Sequence, residues 1–90
     1  MKIQVTRGDI QFGKCGSCSE CPVALAVNRS FPRNYIEVTG NILRIDGVPF
    51  LLPLHVKNFI SNFDTGQFID GDYAQFKNAF EPFEFELEGV

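Results

Sequence analysis

Long apolar runs, histidines and basic residues are all scarce in this 90-residue chain, and each scarcity narrows its reading. No apolar run approaches the ~20 residues that a bilayer-crossing helix needs, so no membrane partner is expected. The opening stretch MKIQVTRGDI holds no apolar block of the kind a secretory signal carries, which makes the cytoplasm the expected location. Histidine occurs once, as His55. Cysteine occurs three times, an odd number that argues against the closed disulfide framework of small secreted domains. Basic residues are short in the second half. Residues 46–90 carry two basic and eight acidic side chains, against six and three in residues 1–45. A half at −6 repels phosphate, and a half at +3 is too weakly basic to attract it, so direct nucleic-acid binding fits poorly.

Catalytic signatures are missing too. The chain has no G-x-S-x-G, no G-x-x-x-x-G-K and no H-E-x-x-H. Asp64, Asp70 and Asp72 stand near glycines, but they miss the spacing of a calcium loop and its closing glutamate, so turn chemistry accounts for them better. The expectation is a protein that is not an enzyme and holds no cofactor.

What is present describes one folded domain, 1–90. The chain is 44% hydrophobic with ten phenylalanines and no low-complexity tract, which favours a phenylalanine-rich core over disorder. A chain this short buries only roughly 60–65% of the surface it exposes when unfolded. KIQVT (2–6) alternates as a short strand, and RGDIQFGKCGS reads as a connection. A helix follows, with Ser19 as its cap and Pro22 in its first turn, preferred over a capping box from Ser17 to Glu20. YIEVT-GN-ILRID reads as a hairpin with a two-residue II′ turn, Gly40 supplying a positive φ. Its register pairs Ile36 with Ile45, Glu37 with Arg44 as an ion pair, and Val38 with Leu43. VPFLLP is too proline-bound for a central strand. Val56, Phe59, Ile60 and Phe63 make the apolar stripe of a helix that Pro53 opens and Gly66 ends. A short helical segment over 73–80 and a strand over 83–88 complete the order β-α-β-β-α-(α)-β. The expected class is α+β in two layers, helices on one face of a mostly antiparallel sheet, with a ferredoxin-like arrangement as one option.

The chemical-looking stretch is KCGSCSECP, with Cys15, Cys18 and Cys21 spaced by three. Three readings stay open. Zinc or an iron–sulfur cluster would need a fourth ligand, for which His55 is the only imidazole. Cys18 and Cys21 form a C-x-x-C beside a helix N-terminus, where the dipole favours thiolate and a reversible disulfide. The third reading makes Cys18 and Cys21 small buried hydrophobes, with Cys15 partly exposed.

SCSECPVALAV (17–27), LPLHVKNFISNFDTG (52–66) and PFEFEL (82–87) together resemble a group of small uncharacterised bacteriophage and prophage proteins with a Cys-x-x-Cys-Pro-(Ile/Val)-Ala-x-Ala helix start. The resemblance covers most of the chain, with Cys15 as an extra cysteine and 67–81 as an insertion. It implies a viral origin and by itself no biochemistry. Small phage proteins of this size without a catalytic set often bind a host protein, components of anti-phage defence such as CRISPR effectors included. Binding and inhibiting a host protein in the host cytoplasm is therefore the class-level expectation. The expected binding surface joins Asp70, Asp72 and Tyr73 of the insertion to Glu84, Glu86 and Glu88. Phe68, Phe76 and Phe80 are further candidate anchors, although Phe76 and Phe80 fit a core-covering role better. The alternative is a small redox or metal module built on Cys15, Cys18, Cys21 and His55.

Overall fold

Among the described residues the strands fall into two sheets. The computed structural model describes residues 1–68, 71 and 73–89, with Gln67, Phe68 and Tyr73 described in backbone only. The elements run β1 (Lys2–Val5), α1 (Arg7–Phe12), α2 (Pro22–Ser30), β2 (Ile36–Val38), β3 (Ile42–Ile45) and β4 (Val48–Leu51). After them come α3 (Leu54–Asp64), a 3₁₀ turn (Thr65–Phe68), α4 (Tyr73–Asn78) and β5 (Phe83–Glu86). The fold is α+β, and every strand pairing is antiparallel.

β1 and β5 form one sheet, and β2, β3 and β4 the other. The ferredoxin-like option, with its strands in a single sheet, is therefore not realised among the described residues. Two local features keep the sheets apart. Pro49 has no N–H to offer at the open edge of β4, and His55 Nε2 sits 3.1 Å from the carbonyl of Glu84 on β5.

The first hairpin has the expected register: Ile36 faces Ile45, Glu37 faces Arg44, and Val38 faces Leu43. Slipping it by one residue would move the buried Ile36, Val38, Leu43 and Ile45 onto the wrong face. The turn differs from expectation, because neither Gly40 nor Asn41 takes a positive φ. It is closed by the Thr39 N–H donating to the Ile42 carbonyl at 2.9 Å. The expected ion pair is also missing: Glu37 and Arg44 are cross-strand neighbours without a salt bridge, in keeping with how little an exposed pair gains.

The primed turn lies one strand later. Asp46 and Gly47 take φ of 52° and 84°, the I′ geometry that Asp-Gly favours. The Asp46 carboxylate steadies it by accepting from the Tyr35 N–H at 2.8 Å and from Asn34 Nδ2 at 2.5 Å. This turn lays VPFL down as β4, an edge strand, so the proline-bound segment does join a sheet but not at its centre.

Two helix starts depart from the sequence reading. RGDIQF is helical, because Thr6 and Asp9 cap it reciprocally: Thr6 Oγ1 accepts from the Asp9 N–H and Asp9 Oδ2 from the Thr6 N–H. α2 begins at Pro22, and its cap is Cys21, not Ser19. Pro22 at the first helical position already has the right φ, and Cys21 Sγ accepts from the Ala24 N–H at 3.4 Å. Ser17 instead closes a turn ahead of the helix, accepting from the Glu20 N–H.

One core serves both sheets. α2 contributes Val23, Ala24 and Val27, α3 contributes Val56, Ile60 and Phe63, and the strands add Ile3, Val5, Leu43 and Phe85. The α3 stripe is the expected one, with Phe59 half-buried. Phe76 and Phe80 extend it as an aromatic cluster with Phe59 and Phe63, at ring-centre distances of 5.2–6.1 Å. They cover the core and are not surface anchors. α4 is further tied to α1, since Lys77 Nζ donates to the Gln11 carbonyl and Gln11 Nε2 to Asn78 Oδ1.

Candidate functional site

The cysteine segment is stitched down at its backbone. The Lys14 N–H donates to the Glu20 carbonyl at 2.8 Å, closing the loop on itself. The Gly16 N–H donates to Asp64 Oδ1 on α3, and the Val38 N–H of β2 donates to the Cys18 carbonyl at 2.7 Å. Through these bonds the thiols are sent in different directions. Cys21 is buried at the helix cap, Cys15 is partly buried, and Cys18 is exposed. The expectation that Cys18 is buried fails, because its carbonyl, not its side chain, makes the contact with the core strands.

Their environments do not favour thiolate at the buried positions. Burial pushes the Cys21 thiol up to about 11, outweighing the Ala24 and Val23 amides that stabilise its anion. Burial raises Cys15 as well, with Lys77 pulling the other way. The depressed pKa pictured for a C-x-x-C at a helix start is therefore not found at Cys21. His55 lies against β5, its ring edge-on to Phe83 at 5.9 Å and its Nε2 on the Glu84 carbonyl. Among the described residues no three His, Cys, Asp or Glu side chains converge as a metal would require. Cys15, Cys18, Cys21 and His55 do not fit a zinc or iron–sulfur site.

Of the expected acidic surface, Glu84, Glu86 and Glu88 are exposed on or just after β5. Glu84 lies 3.6 Å from Lys2 and Glu86 3.3 Å from the terminal amino group, exposed pairs that contribute little. Asp70 and Asp72 lie outside the described residues, as does the side chain of Tyr73.

The structure brings together a different group. Leu51 is 81% exposed, Leu54 71% and Val48 54%. Scattered exposed leucines are ordinary, but here three large apolar side chains fall within seven consecutive residues. Leu51 lines a cleft of about 510 Å³ together with the rest of Pro49–Pro53 and with Glu86 and Glu88, and Val48 and Leu54 flank that run in the chain. The cause is the edge position of β4. Leu43 and Phe50 face each other on the core side, so the alternating partner Leu51 points outward, opposite Ile42. α3 then starts at once, and its first residue, Leu54, precedes the buried stripe. In the sequence, VPFLLPL carries more apolar residues than one face of an edge strand can bury, and that surplus is the signal.

The cleft pairs apolar β4 residues with a rim of carboxylates. No protein-family model matches the chain, and no curated protein or solved structure is similar to it.

Proposed function

We propose that the protein acts by binding another protein, through the face formed by β4, the start of α3 and the outward side of β5, and that no reaction takes place at its sulfurs. The observation that carries this reading is the exposure of Leu51, which lines the cleft, and of Leu54, next in the chain after the lining residue Pro53. Water-exposed leucines of this kind gain free energy only when something covers them, at roughly 25 cal/mol per Å² of apolar surface removed from water. The resemblance of 17–27, 52–66 and 82–87 to small phage proteins supplies the setting: a viral protein in a host cytoplasm, meeting a host protein and inhibiting it. Components of anti-phage defence, CRISPR effectors among them, are the class of target this reading favours.

Site-specific crosslinking in host-cell lysate tests it. A photoreactive leucine analogue placed at position 51 or 54 is expected to trap a protein partner. The same probe at Phe12, which is equally exposed but lies on α1, is expected to trap none. Trapping from position 12 alone would remove this face from the proposal.

A further inference from the structure

Resting on that reading, we propose that the partner is engaged as an extended segment bearing basic side chains, which adds as a strand to the open edge of β5 at Glu86 and Glu88.

Hydrogen-bond alternation identifies the open edge. Leu87 exchanges both backbone bonds with Met1: its N–H donates to the Met1 carbonyl at 2.8 Å, and the Met1 amino group donates to the Leu87 carbonyl at 3.2 Å. In an antiparallel ladder such pairs alternate with residues whose backbone groups point away from the partner strand. With Ile3 opposite Phe85 and Lys2 opposite Glu86, the backbone groups of Glu84 and Glu86 point away from β1, as does the N–H of Glu88, which shares a peptide with the Leu87 carbonyl bonded to Met1. The outward carbonyl of Glu84 is occupied by His55. The N–H and C=O of Glu86 and the N–H of Glu88 have no protein partner among the described residues.

These groups open into the cleft, and the facing wall is also a strand edge. The I′ turn makes Val48 and Phe50 the β4 residues bonded to β3, so Pro49 and Leu51 face outward. Pro49 has no donor there, while Leu51 offers both an N–H and a C=O. An unpaired edge is a template for another strand unless it is blunted, and proline is one of the usual blunting devices. β4 carries that device and the Glu86–Glu88 stretch does not, so the β5 edge is the one left open to strand addition.

Charge decides the chemistry of the occupant. Glu86 and Glu88 line the cleft, Glu86 as an exposed carboxylate 3.3 Å from the Met1 amino group and Glu88 without a salt bridge among the described residues. No lysine or arginine lines it among those residues, and residues 46–90 are net −6 by formal count. An incoming strand with lysine or arginine at alternate positions sets its charges against this rim, while the intervening apolar side chains cover Leu51. An acidic segment meets like charge on the same rim.

The test uses three terminally blocked octapeptides titrated into the full-length, ¹⁵N-labelled protein: alternating lysine–valine, alternating glutamate–valine, and lysine–valine N-methylated throughout its central residues. The lysine–valine peptide is expected to bind saturably and to slow amide hydrogen exchange at Glu86 and Glu88 at least tenfold. The acidic and N-methylated peptides are expected to bind at least tenfold more weakly. Glu88→Lys should weaken the basic peptide and strengthen the acidic one. Glu86→Pro, which removes an outward N–H without breaking a β1 bond, should weaken the basic peptide by a similar factor. If that variant does not fold, the N-methylated peptide carries the same question. Saturable binding with unchanged exchange at Glu86 and Glu88 overturns strand addition and leaves the crosslinking result at Leu51 and Leu54 to stand or fall by itself. No saturable binding by the lysine–valine peptide overturns the proposal as well.

Discussion

The cysteine segment and the β4–α3–β5 face are opposites. The segment 14–21 has the residues that look chemical, and the structure puts two of its thiols into architecture: Cys21 caps a helix and Cys15 packs near α4, while Cys18 is exposed and backbone bonds tie the loop to α3 and β2. The face is built mainly of leucine, valine, proline and glutamate with Phe50, and it leaves large apolar groups in water. What marks a candidate site here is a contact not made within the fold. Reactive residue types are poor guides when their partners are already inside the molecule.

This comparison can be broken by stability measurements, starting with the largest expected effect. Asp9 is 5% exposed and holds Arg29 through two bonds, 2.9 and 2.7 Å. Arg29→Met leaves that carboxylate buried without its cation and is expected to cost about 2–3 kcal/mol in urea unfolding. Burial alone would raise the Asp9 pKa, but the Arg29 and Thr6 hydrogen bonds outweigh it and hold the carboxyl below its ordinary value. A depressed carboxylate stabilises the fold above its unfolded pKa and ceases to as pH falls through its folded pKa. The wild type should therefore lose stability on acidification below about pH 4, and Arg29→Met should lose less over that range.

Gly66→Ala comes next. A Cβ there would lie 2.7 Å from Cys15 Sγ and closer still to the Phe76 ring, an overpacking expected to cost about 2 kcal/mol. Cys21→Ala removes a helix cap and a buried sulfur and should cost about 1–2 kcal/mol, while Cys21→Ser, which keeps a capping oxygen, should recover part of that. The smallest effects sharpen the contrast. Cys18→Ala, Leu51→Ser and Leu54→Ser should each move the unfolding midpoint by no more than about 0.5 kcal/mol, because none of these side chains is buried. A large loss at Leu51 would mean that it supports the fold, and the contrast between the two regions would collapse.

Much of the fold could be read from the chain because some signals are local and redundant. The β2–β3 register follows from alternation on both strands and does not depend on the turn type between them. The α3 stripe follows from Val56, Phe59, Ile60 and Phe63 at helical spacing. α1 escaped notice because a six-residue helix has one buried apolar residue, Ile10, and its start rests on Thr6 with Asp9, a shorter variant of the usual box. Asp46-Gly47 is a strong hairpin signal, but the neighbouring prolines argue against a central strand after it, and β4 is an edge strand. Ser19 looked the better cap because serine usually is one, whereas Pro22 set the first helical position and made Cys21 the cap. The candidate face is the least legible part. Exposure of Leu51 and Leu54 depends on what fails to pack over them, and that is a property of the whole fold.

The central claim is tested most directly by affinity for the trapped partner, measured with two variants side by side. One replaces Cys15, Cys18 and Cys21 by serine; the other is Leu51→Ser with Leu54→Ser. The account predicts wild-type affinity within about threefold for the serine variant and at least a tenfold loss for the leucine pair. Full affinity in the leucine variant, with loss in the serine variant, would contradict it.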